Sequence, residues 1–217
     1  YWRGIGAIGP DESYDFSEDI DRRRRNFTQE LRVSGAPGAT TWVAGAYALR
    51  MDESYDFLDL YNGDVYRQLD SDYRALTLAG YAQVERELAD GLSVSGGFRL
   101  ERRTAHYRDS NALRSAPVDT MAGGHLAVSW RLDEGRTAYA SITRGYKAGG
   151  VNTTAAAIPD GLRGFAPEFV WNLEAGLATR AADDRFESRS SLFYMRRQDQ
   201  QVSSSVQPDP RDPLTFV

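Results

Sequence analysis

Cysteine is absent from the 217 residues, which removes disulfide staples, thiolate metal sites and cysteine nucleophiles together. Histidine is nearly absent as well. His106 and His125 are the only two, and neither has a third ligand at metal spacing, so no metal site is assigned. No stretch approaches the roughly 20 apolar residues that a spanning helix needs. The longest comparable run, residues 42–49, has eight and includes Gly45. That test does not see strands, which cross a membrane with apolar residues at every second position. Positive charge is not in excess either: 26 Lys and Arg against 31 Asp and Glu leave a net charge of −5. This argues against a nucleic-acid partner held by phosphate neutralisation. The nucleophile and metalloprotease patterns G-x-S-x-G, S-x-x-K and H-E-x-x-H do not occur, so no catalytic residue is assigned and the chain is not read as an enzyme. Nor does a basic start followed by an apolar stretch mark a leader. The chain is expected to be a mature or truncated segment.

What is present is apolar and aromatic: 41% hydrophobic residues, with Trp 4, Tyr 12 and Phe 9, too much for a solvated disordered chain. From Leu76 the sequence alternates. Leu76, Leu78, Gly80, Ala82 and Val84 interleave with Thr77, Ala79, Tyr81, Gln83 and Glu85, the period of a strand with one apolar face. After Ala89, Asp90 and Gly91 the pattern resumes, with Leu92, Val94, Gly96, Phe98 and Leu100 on one side. The two runs make a hairpin. Similar pairs are read at 27–34 with 41–51, where Val43, Tyr47, Leu49 and Met51 share a face; at 121–132 with 137–147; and at 168–180 with 185–206. The result is eight strands in four hairpins. Four links are tight, whereas 52–72, 104–117 and 148–167 read as long loops.

Strict alternation of short and long links is the plan of an antiparallel, up-and-down transmembrane β-barrel, with short periplasmic turns and long extracellular loops. Ten residues at about 3.3 Å each, tilted about 45°, rise on the order of 25 Å, the height of the apolar band. Trp42, Tyr55, Phe57, Tyr73, Trp130, Tyr139, Trp171 and Tyr194 fall near strand ends, as interfacial girdles do. For residues 185–197 the phase is open: Leu192 with Tyr194, or Phe193 with Met195, faces lipid. Residues 1–21 show no clean period.

Other motifs read as ordinary. Gly4, Gly6 and Gly9 spell G-x-G-x-x-G, but no buried strand precedes them and no helix follows to receive a pyrophosphate. Asp11, Glu12, Asp15, Glu18, Asp19 and Asp21 run into Arg22, Arg23, Arg24 and Arg25. That block reads as a solvated loop, with a divalent-cation or lipopolysaccharide-phosphate contact as the alternative.

Residues 138–152, Ala-Tyr-Ala-Ser-Ile-Thr-Arg-Gly-Tyr-Lys-Ala-Gly-Gly-Val-Asn, resemble a hallmark stretch of TonB-dependent outer-membrane receptors. Phe165, Pro167, Glu168, Trp171, Asn172, Glu174 and Gly176 are similar to that family's F-x-P-E-x-x-x-N-x-E-x-G segment. Leu192 to Val202 resembles the strand after it, Gln29 to Arg32 its Q-E-L-R strand, and Gly97 to Arg99 its G-x-R strand. The resemblance covers residues 27–206 and is closest to iron-siderophore receptors. It implies that residues 1–217 are part of a larger, 22-stranded plugged barrel in the bacterial outer membrane. Such a barrel imports a ferric siderophore or a similar bulky solute, driven by the TonB complex of the inner membrane through parts outside this chain. No plug, TonB box or aromatic-ended terminal strand is recognised, and Pro208, Pro210 and Pro213 read as a loop. Lipid and lipopolysaccharide are the expected surroundings. No cofactor is expected, iron entering only within the transported chelate. Expected lumen-facing structural residues are Arg99, Glu101, Arg144, Asn172 and Glu174, with Glu174 paired to Arg99 or Arg144. Ligand contact is expected from the loops: Tyr55, Tyr61, Tyr66 and Arg67 in the first, and His106, Tyr107 and Arg108 in the second. Two other readings stand beside this: a complete eight-stranded barrel with a structural or adhesion role, whose first and last strands would have to pair, and an outer-membrane hydrolase barrel.

Overall fold

A computed structural model describes residues 2–5, 13–152, 163–181 and 185–202. The strands are β1 (Trp2–Ile5), β2 (Ser13–Gly35), β3 (Thr40–Tyr61), β4 (Asp64–Ala89), β5 (Leu92–Asp109), β6 (Arg114–Ser115), β7 (Val118–Arg131), β8 (Arg136–Lys147), β9 (Gly150–Val151), β10 (Gly164–Phe165), β11 (Glu168–Arg180) and β12 (Glu187–Gln198). One antiparallel sheet runs β1-β2-β3-β4-β5-β7-β8-β11-β12, with β6 beside the far end of β5, and β9 pairs β10 separately. Each long strand pairs its sequence neighbours, the up-and-down order expected. Among the described residues the sheet stays open, because β12 pairs only with β11 and β1 only with β2. The pairing of first strand with last that a complete eight-stranded barrel needs is therefore not formed.

Turn chemistry ends the strands. Gly38 at φ 59° and Gly91 at φ 71° take the left-handed conformation that tight hairpins demand. Between β7 and β8 the carboxylate of Asp133 accepts the Gly135 N–H at 3.0 Å and the Arg136 guanidinium at 2.7 Å. Those interactions hold its pKa below the usual carboxylate range, the Arg136 hydrogen bond contributing most.

Residues 52–72 differ from expectation. They are not a loop: β3 and β4 continue as a paired ribbon to a two-residue turn at Asn62 and Gly63, with φ of 51° and 87°, the signature of a type I′ hairpin. Similarly, Thr104 to Asp109 extend β5, and Asp15 to Asp21, read as solvated loop, belong to β2, which pairs with β3 from Phe16 onwards. Strands of 22 to 26 residues span roughly 73 to 86 Å at about 3.3 Å per residue, far beyond an apolar band. Gly6, Gly9, Asp11, Glu12, residues 153–162 and the three prolines lie outside the described residues.

The two faces differ in chemistry. On the outer face Leu78, Phe98, Leu126 and Leu173 stand on four strands at 51, 56, 55 and 56% exposure. The inner face holds the buried residues, among them Leu69, Ala75, Thr77, Ala105 and Met121. Side chains on that face reach across intervening strands. Arg99 Nε on β5 donates to the Tyr146 hydroxyl on β8 at 3.0 Å, and Arg103 Nη1 donates to the Gly149 carbonyl at 3.2 Å. Contacts that skip β7 mean the sheet curls towards this face. The row Val43, Tyr47, Leu49 and Met51 does share a face, but it is the inner one, and small residues Ala44, Ala46 and Ala48 take the outer positions. Pairing also fixes the open phase: Leu192 and Tyr194 stand with Ala175 and Leu173 outside, and Phe193 and Met195 with Glu174 and Asn172 inside. Of the expected girdle, Trp42, Trp130, Trp171 and Tyr194 face outwards, whereas Tyr55, Phe57, Tyr73 and Tyr139 face inwards.

Candidate functional site

Beyond the rung of Met51, where the outer face turns from apolar to charged, the inner face opens into a cavity of about 630 Å³. Strands β2 to β5 supply its floor, and residues 147–151, Phe165 and Gln201 close one side. Five cations line it: Arg22, Arg24, Arg67, Arg103 and Lys147. The opposing carboxylates are Glu53, which lines it, and the wholly buried Asp59 beside it.

Each cation but Lys147 is held in a fixed pose. Glu53 accepts Arg22 Nη2 at 2.9 Å and also Arg24 Nε. Burial by itself would raise the Glu53 pKa, but the hydrogen bonds from Arg22 and Arg24 outweigh it and the pKa is lowered. Arg67 Nε donates to Asp59 Oδ2 at 2.8 Å, and its guanidinium lies 5.5 Å from the Phe57 ring centre and 5.4 Å from that of Tyr66. Arg103 donates to the Tyr73 hydroxyl as well as to Gly149. Tyr55 and Phe57 stack with centroids 6.2 Å apart, and Arg22 lies over Tyr55. Tyr107 is buried and donates to Asp109 Oδ2 at 2.9 Å. Burial first and that hydrogen bond second raise its pKa, so it remains a neutral phenol. The arrangement is a rigid, positively charged, aromatic-walled pocket suited to an anion with flat apolar parts.

Among the expected ligand residues, Tyr55, Arg67 and Tyr107 come together at this cavity. Tyr66 is half exposed under Arg67, and Tyr61 sits next to the hairpin tip. His106 and Arg108 are set apart. Because 107 faces inwards, 106 and 108 face outwards, where they border a second hollow of about 390 Å³ with Asp72, Arg74 and Arg114. The sequence does not single out Glu53, Arg103 or Lys147 as site residues, and it offers Arg22 and Arg24 only as part of a charged block and Tyr73 only as a girdle aromatic. Continuing the alternation of Met51 through Glu53, Tyr55 and Phe57 is the signal that finds the β3 members.

The expected lumen residues form a different set of pairs. Arg99 binds Glu101 at 2.7 Å and lies 5.2 Å from the Tyr47 ring centre, and Tyr146 donates to Glu101 at 3.1 Å. Glu174 accepts not an arginine but the Tyr139 hydroxyl, at 2.6 Å. Asn172 Oδ1 is buried on the inner face and has no hydrogen-bond partner among the described residues. Arg144 is paired opposite Trp171, packs 4.2 Å from the Phe169 ring centre and donates to the Ala122 carbonyl.

Residues 3–216 match the family model described as TonB dependent receptor-like, beta-barrel. The chain belongs to this family. Its curved sheet superposes on the ferric yersiniabactin uptake receptor FyuA of Yersinia pestis with a TM-score of 0.74 at 23% identity, over 86% of this chain and 30% of that one. For the ferripyoverdine receptor of Pseudomonas aeruginosa the values are 0.60, 13%, 94% and 29%. For the copper transporter OprC they are 0.62, 16%, 86% and 31%. The chain thus spans about a third of the length of these structures. As a TonB-dependent receptor barrel it resides in the bacterial outer membrane, which assigns the exposed Leu78, Phe98, Leu126 and Leu173 to lipid and the long strand extensions to the extracellular side.

Proposed function

We propose that the chain forms part of the wall and extracellular vestibule of a receptor that imports a ferric siderophore or a similarly bulky anionic chelate by TonB-coupled transport. The cavity carries this reading: five cations and several aromatic rings face the lumen above the lipid band. In that setting guanidiniums neutralise the carboxylate, phenolate or hydroxamate oxygens of a chelate, while Tyr55, Phe57 and Tyr73 offer flat surfaces to its apolar parts. Iron is cargo, held by the chelate, and no bond is made or broken by the protein. Similar structures named for ferric yersiniabactin, ferripyoverdine and copper transport set the range of solutes to screen. The energy-coupling partner is the TonB complex of the inner membrane, engaged through parts of the receptor other than this wall.

Binding of a panel of ferric siderophores and other metal chelates to the full-length receptor tests the reading. Arg22→Gln combined with Arg103→Gln is expected to weaken the cognate chelate about a hundredfold or more, since each removes a charge-assisted contact worth about 1.5–3 kcal/mol. Unchanged affinity in the double variant, or no binding across the panel, would overturn it.

A further inference from the structure

The chain beyond β12 turns aside at Asp199, whose φ of 53° is left-handed, a conformation that Asp tolerates better than most side chains and β-branched residues hardly at all. Two residues later Gln201 grips the links that flank β9 and β10. Its Nε2 donates to the Ala148 carbonyl at 2.9 Å and to the Ala166 carbonyl at 3.0 Å, while its backbone N–H donates to Glu168 Oε2 at 3.0 Å. One residue thus ties together two segments remote from it in sequence. Those segments are already nested, for Gly150 pairs with Phe165 and a Cβ on Gly149 would collide with the Phe165 carbonyl oxygen. From the opposite wall Arg103 donates to the Gly149 carbonyl at 3.2 Å, next to the carbonyl that Gln201 holds. Residues 147–151 and Phe165 therefore form a strap, gripped from β5 on one flank and from beyond β12 on the other.

The strap divides space. Lys147, Phe165 and Gln201 line the cavity of about 630 Å³, and the same three residues line a further hollow of about 460 Å³ whose other walls include Asn152, Asp199 and Val202. Gln201 is therefore part of a partition between two hollows. Its amide N–H bonds go to main-chain carbonyls, so the side chain holds the strap and brings no charge to the cavity.

We infer that Gln201 is a positioning residue that sets the size of solute the cavity accepts: it holds the strap as a partition, and without it the two hollows join. The arginines act on charge, and Gln201 acts on room. The consequence for solute selection rests on the import reading proposed above, whereas the partition itself stands without it.

The test uses full-length receptor in detergent carrying Ser71→Cys, which puts a thiol on the cavity floor of a wall that has no cysteine of its own. The thiol is labelled in parallel with N-ethylmaleimide and with tetramethylrhodamine maleimide, which share a reacting group and differ in bulk. Gln201→Ala is expected to raise the ratio of bulky to small labelling rates about tenfold, with the unfolding midpoint unchanged. Asp199→Val, which cannot hold the left-handed turn, should raise the ratio in the same way, and it replaces Gln201→Ala if that variant does not assemble. Asp199→Gly, which keeps the turn, should leave the ratio as it is. An unchanged ratio in Gln201→Ala or Asp199→Val, or an equal rise in Asp199→Gly, would overturn the partition. Across the panel of ferric chelates, Gln201→Ala should shift preference severalfold towards the larger ones; a preference that does not move would overturn the role in size selection. Binding of no chelate at all would overturn the import reading and the selectivity with it, and the labelling ratio would still decide the partition.

Discussion

Gly45 on β3 has no room for a methyl group. An added Cβ would lie 2.6 Å from the Tyr81 ring and 2.7 Å from the Leu31 carbonyl oxygen, and that oxygen is backbone that cannot swing away. The bare glycine lets Tyr81 lie across β3 and donate to Glu30 on β2. Gly45→Ala is therefore expected to destabilise the barrel by about 1–3 kcal/mol, the range for overpacking, measured by urea unfolding of the full-length receptor in detergent. Gly80, with nothing near its would-be Cβ, is the control: Gly80→Ala should be close to neutral. Glu53 yields a pH prediction of definite sign. Its lowered pKa means that its link to Arg22 and Arg24 is fully present above the ordinary carboxylate range and is lost as pH falls through the depressed value. Both arginines are about half exposed, so the contribution is discounted to about 1 kcal/mol or less. The hydrogen-exchange protection factors of residues 20–25 and 51–57 should stay flat from neutral pH to about 5 and fall below about 4; Glu53→Gln should show the lowered protection already at neutral pH.

At the level of elements, the ribbon of β3 and β4 shows what the sequence makes legible and what it hides. Within the lipid band one face must be apolar, so Leu76 to Val84 and Leu92 to Leu100 announce strand, register and face together. Above the band water wets both faces, and the alternation loses its contrast. Asp52, Glu53, Ser54, Tyr55 and Asp56 then read as loop although every one pairs with β4. The turn itself was legible: Tyr-Asn-Gly-Asp at 61–64 is the composition a type I′ hairpin requires. The same loss of contrast hid half of the cavity, because Arg22, Arg24, Tyr73 and Arg103 become partners only through register. From sequence His106, Tyr107 and Arg108 read as one loop, whereas a strand sends alternate residues to opposite faces. A substitution at the turn tests the ribbon. Gly63 has φ 87°, so Gly63→Ala strains the backbone by about 1 kcal/mol. Faster hydrogen exchange should be confined to residues near 58–67, with the unfolding midpoint of the barrel unchanged.

At the largest scale the decisive fact is that, among the described residues, the sheet curls without closing. Along the path β2-β3-β4-β5-β7-β8-β11 each strand has neighbours on both sides, but among the described residues β12 presents one edge of a sheet whose other edge is β1. In lipid each unpaired backbone group costs several kcal/mol, which is why spanning sheets close. On β12 the edge is also apolar on both faces, with Leu192 and Tyr194 outside and Phe193 and Met195 inside, all strongly exposed. These 217 residues expressed alone are therefore expected to associate through their edges in detergent, visible as polydisperse species by sedimentation velocity. Embedded in the full-length receptor the same strands should give a single heat-resistant species, and Leu78→Arg, which places a charge against the lipid core, should destabilise that species by about 2–4 kcal/mol. Thr77→Arg on the lumen side should cost less, because water there can solvate the charge, although the buried site must still accommodate a larger side chain. A monomeric, cooperatively unfolding 217-residue chain would show instead that β1 and β12 find each other in solution, and the sheet would have to be read as a small barrel in its own right.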